Sequence, residues 1–139
     1  MKVITSNNQH TVLRFFRGEE LVSVFLDYLS EKNISSGWIQ GLGAGDEIEY
    51  SYYDLKNKKY VKTVLKEEFE ITSLQGNIAL TDGKVMIHAH INISKKDMNT
   101  LGGHLHSVKI SGTGEILLTH FKTSFTRELD SETGLKLLK

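Results

Sequence analysis

The clearest pattern in the chain is an apolar stripe near residue 20. Its members recur at intervals of three and four residues, which places them along one side of a helix. They are Leu21, Val24, Phe25, Tyr28 and Leu29. Glu19 and Glu20 would occupy the first turn, where negative charge favours the helix dipole, and a run rich in Asn, Ser and Gly follows. The pattern predicts one helix.

Most other apolar positions lie in short β-like runs. The predicted strands cover residues 11–16, 38–42, 48–53, 60–65, 69–80, 84–93, 101–108 and 115–121. A glycine-rich bend at 41–45 and a Thr-Asp-Gly turn at 81–83 separate some of them, and the tail 125–139 is predicted as strand followed by a helical turn. Because few crossover helices exist, the sheet should be mainly antiparallel. We predict a single α+β domain over residues 1–139, with a twisted sheet of about seven strands and one principal helix.

The amino-acid composition limits which chemistry the protein can perform and where in the cell it is expected. The 139 residues are 39% hydrophobic and 24% charged, which suits one domain with its own core. There is no cysteine, so disulfides, Cys-type zinc sites and thiol catalysis are excluded. The first residues lack the apolar segment of a signal peptide, and no apolar run is long enough for a membrane span. We therefore expect a cytoplasmic protein without a membrane partner.

The charge balance gives little support to nucleic-acid binding. Lys plus Arg and Asp plus Glu number 17 each, whereas phosphate contacts usually require a basic surplus. The one local concentration is the segment Lys56–Lys66, with five lysines. It is interpreted either as a solvated hairpin tip, which is the commoner case, or as a weak phosphate-contacting patch.

The candidate chemistry lies in two histidine pairs, His88-Ala89-His90 and His104-Leu105-His106. In a strand, residues i and i+2 point to the same face, so each pair can present two imidazoles side by side. Thirteen residues separate His90 from His104, enough to turn and begin a neighbouring strand. Histidine is a common ligand of zinc, copper and nickel, and three such ligands leave a fourth position open. The alternative is that these histidines are ordinary surface residues.

The sequence contains no motif typical of the other reaction classes considered. The chain has no G-x-S-x-G elbow, and the sequence 41–46 lacks the Gly-Lys-Ser/Thr ending of a P-loop. Its alternating glycines lead into a strand, so no helix N-terminus faces a pyrophosphate. No acidic residue lies within the histidine pairs. The nearest candidates for a hydrogen bond to a metal ligand, or for a catalytic role at the metal, are Glu115, Asp97 and Asp82.

The histidine pattern resembles a known family. His88-x-His90 followed by Gly102-Gly103-His104-Leu105 resembles the signature of prokaryotic PPC (DUF296) domains. The segments 37–44 and 69–77 and the C-terminal elements Arg127-x-x-Asp130 and 133–135 are similar to further parts of that family. The resemblance covers most of the chain.

The resemblance implies a mainly antiparallel sheet, one principal helix and a homotrimer. It also implies a divalent metal such as zinc held by His88, His90 and His104. His106 lies outside the usual pattern and is either a fourth ligand or, as we prefer, a plain surface residue. Plant relatives join the domain to AT-hook segments and bind DNA in the nucleus. This chain has no proline and therefore no such hook.

Three functions follow as hypotheses. The first is a trimeric metal-binding module with an assembly, ligand-binding or regulatory role. The second is a DNA-associated protein, by family resemblance. The third is a metal-dependent hydrolase or lyase acting on an unknown small molecule, with Glu115 as a guess for the general base. A non-enzymatic role is the preferred expectation.

Overall fold

The fold was analysed in a computed structural model that describes residues 1–139. It contains one helix and nine strands in a single sheet. The elements are β1 (Lys2–Ser6), β2 (His10–Phe16), α1 (Leu21–Glu31), β3 (Gly37–Asp54), β4 (Lys59–Leu65), β5 (Phe69–Thr81), β6 (Lys84–Ser94), β7 (Thr100–His120), β8 (Thr126–Leu129) and β9 (Lys136–Leu138). The predicted α+β class, with a mainly antiparallel sheet and one principal helix, is confirmed.

The helix begins at Leu21, two residues later than a first turn containing Glu19 would require. Glu20 is the N-cap, and its carboxylate accepts hydrogen bonds from the backbone N–H groups of Val22 and Ser23. Glu19 lies before the helix and pairs with the N-terminal amine. Only the Glu20 carboxylate therefore acts at the helix N-terminus, where it satisfies N–H groups that the helix leaves unpaired. At 11 residues α1 is too short to cross a membrane, and no helix of the chain meets that requirement.

Two long strands replace four predicted ones. β3 continues through the glycine-rich segment, and its register shifts between Gly41 and Gly43 and again near Gly45. β7 likewise joins the two predicted strands at 101–108 and 115–121. The glycines act as bulges that bend a strand without ending its hydrogen bonding. The predicted helical turn in the tail is wrong, because that segment forms β8, a turn and β9.

The sheet curves until its pairings close. β3 pairs with β5, β5 with β6, β6 with β7, and β7 returns to β3. Only the contact between β5 and β8 is parallel. The helix packs on the inner face, where its apolar stripe joins side chains of the central strands in one core of 20 buried residues. The outer face of β6 and β7 is left for the polar side chains described next.

Candidate metal centre

Three histidines meet where β6 pairs with β7. His90 and His104 are directly opposite each other in the antiparallel register, and His88 lies two residues along β6. One ring nitrogen from each of the three lies within 4.8 Å of the corresponding atoms of the other two. The residues predicted from the sequence are thus brought together by strand alternation and register.

Burial of the intervening residues fixes the direction of these side chains. Ala89 and Ile91 are about 2% and 1% exposed, and Leu105 is 7% exposed. Because successive strand residues point to opposite faces, the histidines between them face away from the core. His88 and His104 are half-buried, and His90 is exposed. A ligand could reach the cluster from outside without disturbing the core.

The glycine pair before His104 has a steric role. A Cβ atom on Gly103 would lie 2.6 Å from the carbonyl oxygen of Ser51 in β3. On Gly102 it would lie 2.6 Å from the carbonyl oxygen of Ile91 in β6. Real side chains do not approach backbone so closely, so β7 can enter between β3 and β6 only with glycine at these positions. The two glycines therefore allow β7 to pack closely enough to place His104 beside His88 and His90.

The rings lie at distances that suit a shared ligand. Their centroids are 5.1 Å apart for His88 and His104, 5.3 Å for His88 and His90, and 5.6 Å for His90 and His104. Burial lowers the pKa of His88 to about 4, and the nearby charges of Arg127 and His90 act in the same direction. Burial, followed by the neighbouring histidines, also lowers the pKa of His104 to about 4. Both rings are therefore neutral at pH 7, the protonation state that metal ligands require.

His106 has the same spacing as His90 but different neighbours. Its Nε2 lies 2.8 Å from the hydroxyl of Ser51, and its ring stands edge-on to Tyr60, 5.6 Å between centroids. It contacts the ring of His104 at 5.0 Å but is not part of the three-histidine cluster. Its role relative to a bound metal therefore stays a prediction, tested below by substitution.

None of the acidic candidates joins the cluster, which contains no carboxylate. Glu115 lies opposite Leu42 on β3, so β3 and β5 separate it from the histidines of β6. Asp97 bonds to Asn99 in the turn before β7, and Asp82 pairs with Lys136. Without a carboxylate among the ligand atoms, the structure gives no support to Glu115 as a general base at this site.

An arginine stands beside the histidines instead. Nη2 of Arg127 lies 2.9 Å from Nδ1 of His88 and donates to Oδ1 of Asn77 at 2.6 Å. Nη1 donates to the carbonyl oxygen of Lys136 at 2.7 Å. In the sequence, Arg127 stood out only through the family-like ending, because it lies 39 positions after His88. Strand β8 brings it back through its parallel pairing with β5.

Two of the three clustered histidines, His88 and His104, share a groove of about 410 Å³ with His106 and Arg127. Its walls come from β4, β6, β7 and the C-terminal strands. The lining residues are Tyr60, Met86, Ile87, His88, His104, His106, Arg127, Gly134, Leu135, Lys136 and Leu137. The groove thus combines ring nitrogens, one guanidinium and an apolar wall, which is the composition of a small-molecule site.

The lysine-rich hairpin offers less free charge than its sequence suggests. Lys62 pairs with Glu49 and Lys66 with Glu47 across the β3–β4 ladder. Lys58 donates to the backbone oxygen of Ser131 at 2.8 Å. Three of the five lysines between residues 56 and 66 thus have a partner within the chain. The arrangement favours the solvated hairpin over a phosphate-binding patch.

Known structures share this architecture. A protein from Bacteroides thetaiotaomicron, described as a candidate DNA-binding protein, is 28% identical, with 97% of this chain and 94% of that chain covered and a TM-score of 0.92. The metal-containing protein of Archaeoglobus fulgidus is 33% identical, with coverages of 100% and 99% and a TM-score of 0.88. The plant- and prokaryote-conserved (PPC) protein of Pyrococcus horikoshii is 27% identical, with coverages of 100% and 97% and a TM-score of 0.87.

No curated protein gives a significant match. The sequence profile of the Plants and Prokaryotes Conserved (PCC) domain matches residues 4–122, which include the helix, the glycine-rich part of β3 and all four paired histidines. The match covers well over half of the chain and agrees with the resemblance carried by the His-x-His and Gly-Gly-His-Leu segments. The chain belongs to the PCC (PPC) domain family.

Proposed function

We propose that this chain is a divalent-metal-binding module in which His88, His90 and His104 are the protein ligands. The observation that carries the proposal is the convergence of three imidazole nitrogens within 4.8 Å of one another. Two of these rings are neutral at physiological pH because burial depresses their pKa values. A neutral imidazole has the free electron pair that a metal ion needs.

Zinc is the first candidate ion. Three nitrogen ligands with an open fourth position are a recurring zinc geometry, and imidazole also accepts copper and nickel. The metal-containing protein of A. fulgidus supports the proposal, since it is 33% identical over the full length of this chain. His88 and His104 also line the groove described above, from which water or another small molecule could complete the coordination.

Elemental analysis tests this proposal directly. Tag-free protein purified in the presence of zinc should contain about one ion per chain, and a His104→Ala variant should lose it. His10→Ala is the matched control, because His10 is exposed on β2 and lies outside the cluster. A wild-type protein without bound metal, or a His104→Ala variant that retains it, would refute the three-histidine site.

The module is also proposed to assemble as a homotrimer in the cytoplasm. Trp38 and Leu42 lie on one face of β3 and are 47% and 54% exposed, which leaves apolar surface for a contact between subunits. The zero net charge does little to oppose self-association. Light scattering during size-exclusion chromatography measures the mass, and a monomer at micromolar concentration would exclude the trimer.

DNA association is the second candidate function. It is supported by the relative from B. thetaiotaomicron, which is described as a candidate DNA-binding protein. Lys56 and Lys59 would be the first contacts, since the other lysines of their segment have partners. A gel-shift titration at low ionic strength tests this function. Binding should weaken steeply with salt if phosphate contacts are real, and an absent shift would leave the metal-binding module alone.

A further inference from the structure

The groove beside the histidine cluster contains a cation without an anion. Arg127 is half-buried, and no Asp or Glu of the chain lies within ion-pair distance of it. Its partners are an amide oxygen, a backbone carbonyl and an imidazole, and its Nε is buried without any partner. Partly buried charges are normally paired, because removing them from water is costly. The guanidinium is thus equipped to receive an anion from outside the chain.

The hydrogen bond to His88 strengthens this reading. Arginine only donates, so Nδ1 of His88 accepts, and the single ring proton must be on Nε2. A neutral imidazole ring has one free electron pair, and here that pair is on Nδ1 and accepts from Arg127. A metal bound at Nδ1 would take this pair directly, and a metal bound at Nε2 would require the ring proton to move to Nδ1, which could then no longer accept. Coordination by His88 therefore requires Arg127 to give up this hydrogen bond. The Nη2 donor released in this way would be available to a ligand in the groove, which Arg127 and His88 both line.

The rest of the groove selects the kind of anion. Met86, Leu135 and Leu137 form an apolar wall, with Met86 44% and Leu137 43% exposed. Lys136 also lines the groove, but Asp82 already neutralises it. A single free guanidinium matches one carboxylate, whereas an inorganic phosphate dianion would leave charge unpaired and the apolar wall unused. The groove of about 410 Å³ is large enough for a small organic molecule.

From this arrangement we propose that the groove binds a small organic acid. Its carboxylate contacts Arg127 and its apolar part lies against Met86, Leu135 and Leu137. The inference deepens the proposed metal-binding function and rests on it for one feature only, the tighter binding expected when zinc frees Arg127 from His88. The acid and the metal would then occupy adjoining parts of one site.

NMR titration with pentanoate tests the inference, with pentanamide as the neutral probe of the same shape. Pentanoate should shift the backbone amides of residues 135–137, and pentanamide should bind at least about tenfold more weakly, since only the acid can form charge-assisted bonds. The titration is done on zinc-loaded protein and on protein stripped with a chelator. The zinc-loaded form should bind pentanoate more tightly.

Variants locate the carboxylate. Arg127→Gln should weaken pentanoate binding about tenfold or more, while Arg14→Gln should have no effect, because Arg14 is exposed on β2 over the ring of Phe16. Met86→Glu is a second test of the same groove, used in case Arg127→Gln loses binding only because it fails to fold. It places a negative charge on an exposed groove residue and should repel the acid without altering the core.

The outcomes separate the two proposals. If zinc is absent from the protein but pentanoate still binds through Arg127, the metal function fails and the acid site stands. If zinc binds and pentanoate does not, or pentanamide binds equally well, the acid site is overturned and the metal function stands. Binding of inorganic phosphate as tight as that of pentanoate would also overturn it, because the apolar wall would then contribute nothing.

Discussion

The histidine cluster and the lysine-rich hairpin are two local concentrations of nitrogen side chains with different surroundings. In the hairpin, Glu47 and Glu49 stand across the ladder from lysines and neutralise them. The cluster of His88, His90 and His104 contains no carboxylate, and the charged side chain bonded to it, Arg127, is positive. The side chains on the facing strand therefore decide whether such nitrogen groups are already paired or can bind a ligand. One region is internally satisfied, and the other is open to a ligand.

The largest expected effect separates His90 from His106. The His90→Ala variant should bind zinc more than 100-fold more weakly than the wild type, since losing a direct ligand should exceed the 10- to 100-fold cost of losing an outer partner. His106→Ala should stay within about tenfold, because His106 bonds to Ser51 instead of joining the cluster. Competition with a fluorescent zinc chelator measures both affinities. Equal losses would mean that the site has four histidine ligands.

Much of this contrast could be predicted from local pattern. The helix followed from its apolar stripe. Strand alternation and the spacing between the pairs indicated that the two His-x-His pairs could lie side by side, and the family resemblance singled out His88, His90 and His104 among them. The continuity of β3 and β7 could not be predicted. Glycine in a sequence commonly marks the end of a strand, whereas in this sheet the backbone hydrogen bonds continue through glycine bulges. β1 was missed because all five of its residues are exposed and lack a buried face.

The contacts that are distant in the sequence were the least predictable. Nothing local to Arg127 indicates that it lies beside His88, since the contact depends on the pairing of β8 with β5. The partners of Lys62 and Lys66 depend in the same way on the register between β3 and β4. Alternation shows which face a residue occupies, but only the register shows which side chain stands opposite.

The depressed pKa values of His88 and His104 predict an acid-sensitive fold. Between pH 6.5 and about 4 the unfolded chain binds protons at these rings while the folded chain does not. The free energy of unfolding should therefore be highest above pH 6.5 and should fall as the pH drops toward 4. Because both rings are partly exposed, solvent screening reduces the drop to less than half of what the full shifts would give, to about 2–3 kcal/mol for the pair. Urea titrations at pH 7.5 and pH 4.5, with a chelator present, measure the drop.

The control for acid sensitivity is the double variant His88→Gln, His104→Gln. It keeps the acidic groups, which titrate in both proteins, and removes the two rings. Its stability should change less between the two pH values than that of the wild type. An identical change would assign the acid sensitivity to other groups and would show that burial does not hold these rings neutral.

Loosening the close packing of β7 beside His104 should have a moderate effect on stability and zinc binding. Gly103→Ala places a Cβ atom 2.6 Å from the carbonyl oxygen of Ser51, so β7 must shift beside His104. We expect a loss of about 1–2 kcal/mol in the free energy of unfolding together with weaker zinc binding. Gly112→Ala on the same strand is the control, since its nearest contact is an ordinary 3.4 Å to the Cβ atom of Ala44. If both variants retained full zinc affinity, the close packing of the strands would not position His104.

The smallest effect is expected at the hairpin. Glu47→Gln combined with Glu49→Gln removes the carboxylates that face Lys66 and Lys62 but leaves every lysine in place. Because these side chains are largely exposed, the fold and the zinc content should not change measurably. DNA binding at low salt should become detectable or increase a few-fold, since neutralisation by the glutamates is what makes this region unlike the histidine groove. A gel shift that is identical before and after the substitutions would show that carboxylate pairing does not keep the hairpin from binding phosphate.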